Sequence, residues 1–193
     1  MEDTVALLPA KSQKHLSLLQ GRAHRLEQLL NGLLDYSRIG HERYTVETVN
    51  TRLLVEEIEE LLAPPAGFTI TVAPILPTLV THRVPLATVL HNLLSNALKH
   101  HQQPTQGQVQ VTTHRLDNWV EFSVADNGPG IAPEFHQRIF EMFQTLQSRD
   151  VVEGSGIGLA LVKKIVETYG GQITVDSALG QGATFRFTWP SAL

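Results

Sequence analysis

Three groups of residues in this 193-residue chain have types and spacings that could do chemistry. The first is Asn92, Asn96, Lys99 and His100 in "HNLLSNALKHH". At about 100° per residue these four fall on one helix face, while Leu86, Leu90, Leu93, Leu94 and Ala97 centre on another roughly 120° away. Asparagine is a mediocre helix former, so two of them one turn apart need a reason. Their carbonyls are hard oxygen ligands suited to Mg²⁺, which takes few protein ligands beside water and phosphate oxygens. Lys99 could meet a phosphate as a point charge; a solvated face would account for Lys99 and His100 equally well. The second group is "DNGPGI", Asp126 to Ile131, directly after the alternating run "WVEFSVA". An ionised carboxylate only accepts hydrogen bonds, so Asp126 held at a strand end would select an amino group such as that of adenine. Asp-Asn-Gly is also good chemistry for a plain turn. The third group, "GSGIGLALV", puts Gly154, Gly156 and Gly158 ahead of a helical run. Glycines there let an anion approach unpaired N–H groups and the positive end of a helix, and they also suit an ordinary Gly/Ser loop. The stretch is not a P-loop, because Gly158 is followed by Leu159 and Ala160, and its third glycine comes one position too early for a dinucleotide fingerprint.

The elements that must position these groups can be read from periodicity. "HLSLLQGRAHRLEQLLNGLLDYSRI" carries apolar or small residues at 16, 19, 23, 26, 30 and 33, with Leu29 and Leu34 widening the stripe. That is a heptad seam ending near Gly40, and it needs another helix to cover it. Short strands and helices follow: "RYTVETV" alternates, Asn50 or Thr51 can cap an acidic helix that Pro64-Pro65 ends, and "FTITV" and "PTLVT" read as strands. "VPLATVLHNLLSNALKHH" is a strong helix with Pro85 in its first turn. "QVQVTTHRL" and "WVEFSVAD" form a hairpin around Asp117-Asn118, followed by a Gly/Pro turn and a short helix through Phe143. "GQITVDSALGQGATFRFTWP" is a strand, a Gly-rich turn and a strand. Intermixed helices and strands with hairpins predict an α+β two-layer sandwich, a mixed sheet with helices on one face.

Composition narrows the partners. Fifteen basic against nineteen acidic residues give a net charge of −4, which offers no electrostatic case for nucleic acid or an anionic membrane. With no cysteine, disulfides and thiolate metal sites are excluded. No apolar run has the length of a membrane span, so no direct membrane contact is expected and a cytoplasmic setting is the default, although a longer parent protein could be membrane-anchored.

The order of the pieces carries a resemblance. "HNLLSNALKH", "DNGPGI", "IFEMF", "GSGIGLALV" and "GQGATF" resemble the N, G1, F, G2 and G3 boxes of sensor histidine kinases, within the GHKL ATPase superfamily, over residues 44 to 190. "RAHRLEQLLNGLLDYSRIG" is similar to the second helix of their dimerisation and phosphotransfer domain. The resemblance implies a partial dimerisation region over 1–40 and a Bergerat-type ATP-binding catalytic domain over 41–193. It implies adenine on Asp126, with Gly128, Gly130 and Ile131 shaping that end, and Mg²⁺ on Asn96 with Asn92 nearby. It places Gly154, Ser155, Gly156, Ile157, Gly158 and Leu159 at the phosphates. Lys99 and His100 join the pocket, Thr184 lies near it beyond Gly180 and Gly182, and Asn92 is a candidate for polarising the incoming imidazole. Residues 144–153 become an ATP lid whose near end Phe140 and Phe143 anchor. The implied activity moves the γ-phosphoryl of ATP to a histidine of the dimerisation domain for relay to a response regulator receiver domain, in a parent that is a homodimer through the N-terminal helix. Other members of the superfamily, ATPases and anti-sigma-type serine kinases, or a non-catalytic nucleotide-binding module, are the alternatives. Two departures stand out. Thr145 and Gln147 occupy positions where such kinases often carry a basic residue and a histidine, leaving Arg149 as the lid's cation. No H-E/D-x-x-x-P-type acceptor box occurs, so the chain is expected to be cut inside the dimerisation domain. His15 and His24 then read as surface or bundle-flank residues, and His91 adjoins the N box without an assigned role.

Overall fold

Leucines spaced to one side of "VPLATVLHNLLSNALKH" make this segment the centre of the helical layer. In the computed structural model, which describes residues 9–40, 42–144 and 156–192, it forms the helix Arg83–His100. Leu86, Leu90, Leu93 and Leu94 are at most 1% exposed and Ala97 is 8% exposed, so the expected apolar face is the one that faces the core. Numbered in chain order, the helices are α1 (Ala10–Arg38), α2 (Thr51–Leu62), α3 (Arg83–His100) and α4 (Gly158–Thr168). The strands are β1 (Val46–Asn50), β2 (Thr69–Val72), β3 (Thr78–His82), β4 (Gln108–Leu116), β5 (Trp119–Asp126), β6 (Ile173–Ser177) and β7 (Ala183–Pro190).

Five strands form one sheet in the order β2-β4-β5-β7-β6. The β2–β4 pairing is parallel and the other three are antiparallel, so the sheet is mixed, as the alternation of elements predicts. Along β7 every second residue is buried, Ala183, Phe185, Phe187 and Trp189, which is the signature of a strand with one covered face. Phe122 of β5 and Phe187 of β7 are direct register partners with stacked rings 5.0 Å apart, a cross-strand pair of the kind that stabilises a sheet. β1 and β3 stand apart as an antiparallel pair, a separation the sequence pattern did not indicate.

Local signals ended the elements where expected. Asn50 caps α2 by accepting from the N–H groups of Arg52 and Leu53, Ala63 turns left-handed and Pro64-Pro65 follow. Gly40, at φ +84°, stops α1 just after Arg38. One expectation fails: in place of a short helix through Phe143 there are two single 3₁₀ turns, Pro133–Phe135 and Arg138–Phe140. The backbone becomes extended at Glu141, so no α-helical bonds can propagate to Phe143.

The foot of α1 is tied to the sandwich. Gly32 packs against Ile157, Tyr36 and Ile39 join the core, and Tyr44 makes a ring contact with His82, whose Nδ1 lies 2.7 Å from the Tyr169 hydroxyl. Burial first, and then Glu42, pushes the Tyr44 phenol up to about 12. Tyr169 stacks on Trp189 at 4.4 Å. Trp189 is fully buried and donates its indole N–H to Oγ1 of the equally buried Thr81, 2.9 Å away. Thr81→Val keeps the shape and strands that N–H. We expect a loss of about 1–3 kcal/mol and a thermal midpoint lower by roughly 2–12 °C. Thr81→Ser, which keeps the acceptor, should lose about 1 kcal/mol for one methyl group. Equal midpoints for the two variants in a thermal melt would show that the hydrogen bond does not matter.

Candidate functional site

Helix α3 turns its polar stripe toward a cavity of about 550 Å³. Asn92, Asn96, Lys99 and His100 line it together with Asp126, Gly130, Ile131, Gly156, Gly158 and Leu159, so the three sequence groups meet in one place. α3 runs along this cavity. Near one end Asn92 donates its Nδ2 to the Thr88 carbonyl at 2.8 Å, which turns its Oδ1 toward the start of α4. A Cβ on Gly158 would lie 2.7 Å from that oxygen, so glycine here makes room for an asparagine. At the other end His101 Nε2 lies 3.0 Å from Asn127 Oδ1, beside Asp126.

The Asp126 end is built from loops stitched together. Gly128 donates its N–H to Asp126 Oδ1 at 2.8 Å, so "DNGPGI" is both a side-chain-closed turn and a cavity wall. Asn127 holds the turn against the preceding loop, accepting from the Gln108 N–H at 2.6 Å and donating to the Gln106 carbonyl at 3.1 Å. Gly130 is left-handed at φ +70°, and a Cβ there would sit 1.9 Å from the Ala178 carbonyl oxygen. No side chain fits that approach. Ser177, which sequence reasoning missed, joins the two loops: its hydroxyl accepts from the Ile131 N–H at 2.8 Å and donates to the Gly182 carbonyl at 2.6 Å. A serine at a strand end has no signal of its own in one sequence. Phe135, Ile139 and Phe185 supply apolar wall, and Phe140 packs edge-on against Phe185.

Burial pushes the Asp126 carboxyl up, and the N–H groups of Gly128 and Ala183 and the charge of His101 work against that rise. His91 and His100 are both pushed down, first by burial and then by the neighbouring Lys99 ammonium, which favours uncharged imidazoles at neutral pH. Among the described residues no three acidic or histidine side chains gather as a metal cage. The amide oxygens of Asn92 and Asn96 therefore suit only a hard cation that arrives with most of its oxygen ligands.

Other expected site residues stand elsewhere. Ile157 is 1% exposed and packs against Gly32 of α1. Phe143 is half exposed, and its N–H bonds the Gly156 carbonyl at 2.8 Å, bringing the two ends of 143–156 together. Gly128 supports Asp126 from outside the cavity wall. Thr184 does not line the cavity; the period of two along β7 gives that wall to Ala183 and Phe185 instead. Arg149, Gly154 and Ser155, and most of the expected lid, lie outside the described residues.

Residues 81–193 match the family model for histidine kinase-, DNA gyrase B- and HSP90-like ATPases. The chain is 37% identical over 170 residues to cyanobacterial phytochrome A of Nostoc, covering 86% of this chain and 22% of that protein. It is 42% identical over 116 residues to the adaptive-response sensory kinase SasA of Rippkaea orientalis, covering 60% of this chain and 29% of the kinase. It thus spans only about a quarter of the length of these curated relatives. Full-length ShkA, solved in complex with AMPPNP, superposes with a TM-score of 0.73 at 32% identity, over 95% of this chain and 39% of that one. The catalytic domain of the histidine kinase ThkA superposes at 0.63 with 25% identity, over 77% and 97%. Matching family model, matching fold and a cavity that unites the expected groups agree: the chain belongs to the histidine kinase-, DNA gyrase B- and HSP90-like ATPase family and carries the ATP-binding domain of the sensor histidine kinase type.

Proposed function

We propose that this chain is the catalytic part of a two-component sensor kinase that moves the γ-phosphoryl of ATP to a histidine nitrogen on a dimerisation domain, for relay to a response regulator. The observation that carries the reading is one cavity lined by Asp126, Asn92, Asn96 and the start of α4, with Asp126 at one end, Asn92 and the start of α4 at the other, and Asn96 between them on α3. The carboxylate accepts from the adenine amino group, and unpaired N–H groups at the start of α4 receive phosphate oxygens. In the transfer the imidazole nitrogen bonds to the γ-phosphorus, the bridging oxygen leaves with ADP, and the imidazole gives up its N–H proton. The domain's task is to hold these groups in line and to offset their charge. Asn96, with Asn92 nearby, would hold Mg²⁺, which when bound would offset part of that charge. Lys99 would add a fixed positive charge, and Asn92 is our candidate for polarising the incoming imidazole.

Residues 1–40 belong to a dimerisation region in this reading, and 41–193 form the catalytic domain. Support comes from α1, whose seam leucines Leu19, Leu26, Leu30 and Leu33 are 62, 61, 62 and 44% exposed. A heptad seam left open over that length calls for another helix, and a second copy would supply it. Among the described residues no helix is long and apolar enough to cross a membrane; we place the domain in the cytoplasm, where ATP and receiver domains are found.

Three outcomes test the reading. Asp126→Asn turns a donor toward the adenine amino group, and we expect ATP affinity to fall by about 1–3 kcal/mol with loss of preference over GTP. Because protonation puts an O–H donor on the carboxyl and weakens it as an acceptor, and the pKa of Asp126 is raised, wild-type affinity should fall with decreasing pH sooner than an ordinary aspartate would require, and the variant should lack that fall. Unchanged affinity and selectivity would remove Asp126 from the adenine site. Asn96→Ala should abolish the improvement that Mg²⁺ brings to ATP binding; identical wild-type titrations with and without Mg²⁺ would show that the metal assignment is wrong. Finally, His15 is exposed, and exposed His24 is engaged with Gln28 and Glu27 on α1. The 193-residue chain incubated with labelled ATP should gain no acid-labile phosphate, yet should slowly label a separate dimerisation domain that carries an acceptor histidine, since no tether raises the local concentration. Stoichiometric phosphate on His15 or His24 would overturn this placement of α1.

A further inference from the structure

A nucleoside triphosphate carries about four negative charges into this cavity, and the described lining offers little to meet them. Lys99 is the one permanently cationic side chain among the described lining residues, against the acids Asp126 and Glu134. The residues between Gln144 and Gly156 contain a single basic residue, Arg149. Beyond Lys99 and the N–H groups at the start of α4, helix α3 presents one more hydrogen-bond donor to the cavity, His91.

His91 lines the cavity immediately before Asn92. Its ring is partly buried, and among the described residues no hydrogen bond, ion pair or ring contact engages it. That partial exposure leaves a ring N–H open to solvent and available to a ligand that enters the cavity. Its place along the helix identifies the ligand group. Ten residues separate His91 from His101, about 15 Å along the axis, and His101 is the residue that meets Asn127 beside Asp126. His91 therefore stands at the end of the cavity farthest from Asp126, where the neighbouring Asn92 faces Gly158 and the start of α4. In ATP the group farthest from the adenine amino group is the terminal phosphate. We propose that His91 is a positioning residue for that phosphate, its ring N–H donating to a γ-phosphoryl oxygen while the adenine is held at Asp126. ADP ends one phosphate short and leaves His91 unengaged, so the same contact makes the site prefer the triphosphate. This rests on the ATP-binding reading above.

The test compares two ligands on three proteins. ADP and a non-hydrolysable ATP analogue, each with Mg²⁺, are titrated calorimetrically into wild type, His91→Leu and His91→Gln; the changed side chain is partly exposed, and thermal melts report the folding of each. Hydrogen bonds to charged groups are stronger than neutral ones. We expect the affinity of His91→Leu for the analogue to fall about tenfold with ADP affinity unchanged within twofold, and we expect His91→Gln, which keeps an N–H donor, to recover most of the loss. Equal losses for both ligands, or no loss with the analogue, would overturn the assignment of His91 while leaving Asp126 and the ATP site standing. Failure of wild type to bind either ligand would overturn the ATP-binding reading itself and this proposal with it.

Discussion

Everything at the site depends on one helix serving two environments at once. α3 seats Leu86, Leu90, Leu93 and Leu94 in the core with at most 1% of their surface exposed, and turns Asn92, Asn96, Lys99 and His100 to the cavity. The apolar face keeps the helix from rotating, because turning it would bring leucine to water and amides into the core. That fixed rotation is what brings two asparagines to the cavity rather than to open solvent. Asn92 is further restrained by its bond back to Thr88, so its free oxygen has a defined direction before any ligand arrives, which is preorganisation of the kind binding sites use to limit ordering costs.

The opposite wall meets a different constraint. A carboxylate beside apolar groups is driven toward its neutral form, as the upward shift of Asp126 reflects. Two backbone N–H groups hold it from behind, and they can do so because the loop after β5 lies against the β6–β7 turn at backbone contact distance. Gly130 permits the approach, the Gly180 N–H bonds the Pro129 carbonyl at 2.7 Å, and the Ser177 hydroxyl bridges Ile131 and Gly182. The final strand-turn-strand unit is thus part of the site although few of its side chains reach the cavity.

The foot of α1 connects a third part of the molecule to the same core. Tyr44, His82, Tyr169 and Trp189 form a chain of ring contacts from the segment after α1 to the C-terminal end of α4, and Ile157, at the other end of α4, packs on Gly32 of α1. Both ends of the helix that opens onto the cavity are therefore in contact with α1 or the segment that follows it. The exposed leucines farther along α1 mark the part that the sandwich itself does not cover.

Much of this was legible before any coordinates. The 3.6-residue period of α3, the strand alternation of β4, β5 and β7, the Asn50 cap and the Gly40 stop are local properties, and they appear where local physics puts them. The relation of Asn92 and Asn96 to each other was also local, because both sit on one helix. What the sequence alone could not decide is distance between segments. That Asp126 faces the asparagine helix, that Ser177 bridges two loops, that β1 pairs with β3 outside the main sheet, and that Ala183 rather than Thr184 takes the cavity face are all consequences of register and of which backbones come within contact. Such facts involve residues tens of positions apart, and no period or propensity encodes them; only the packing of sheet against helices fixes which side chains meet. His91 belongs to both accounts: its helix and face follow from the sequence, but its position at the end of the cavity farthest from Asp126 exists only once α3 lies between α4 and the exit of β5.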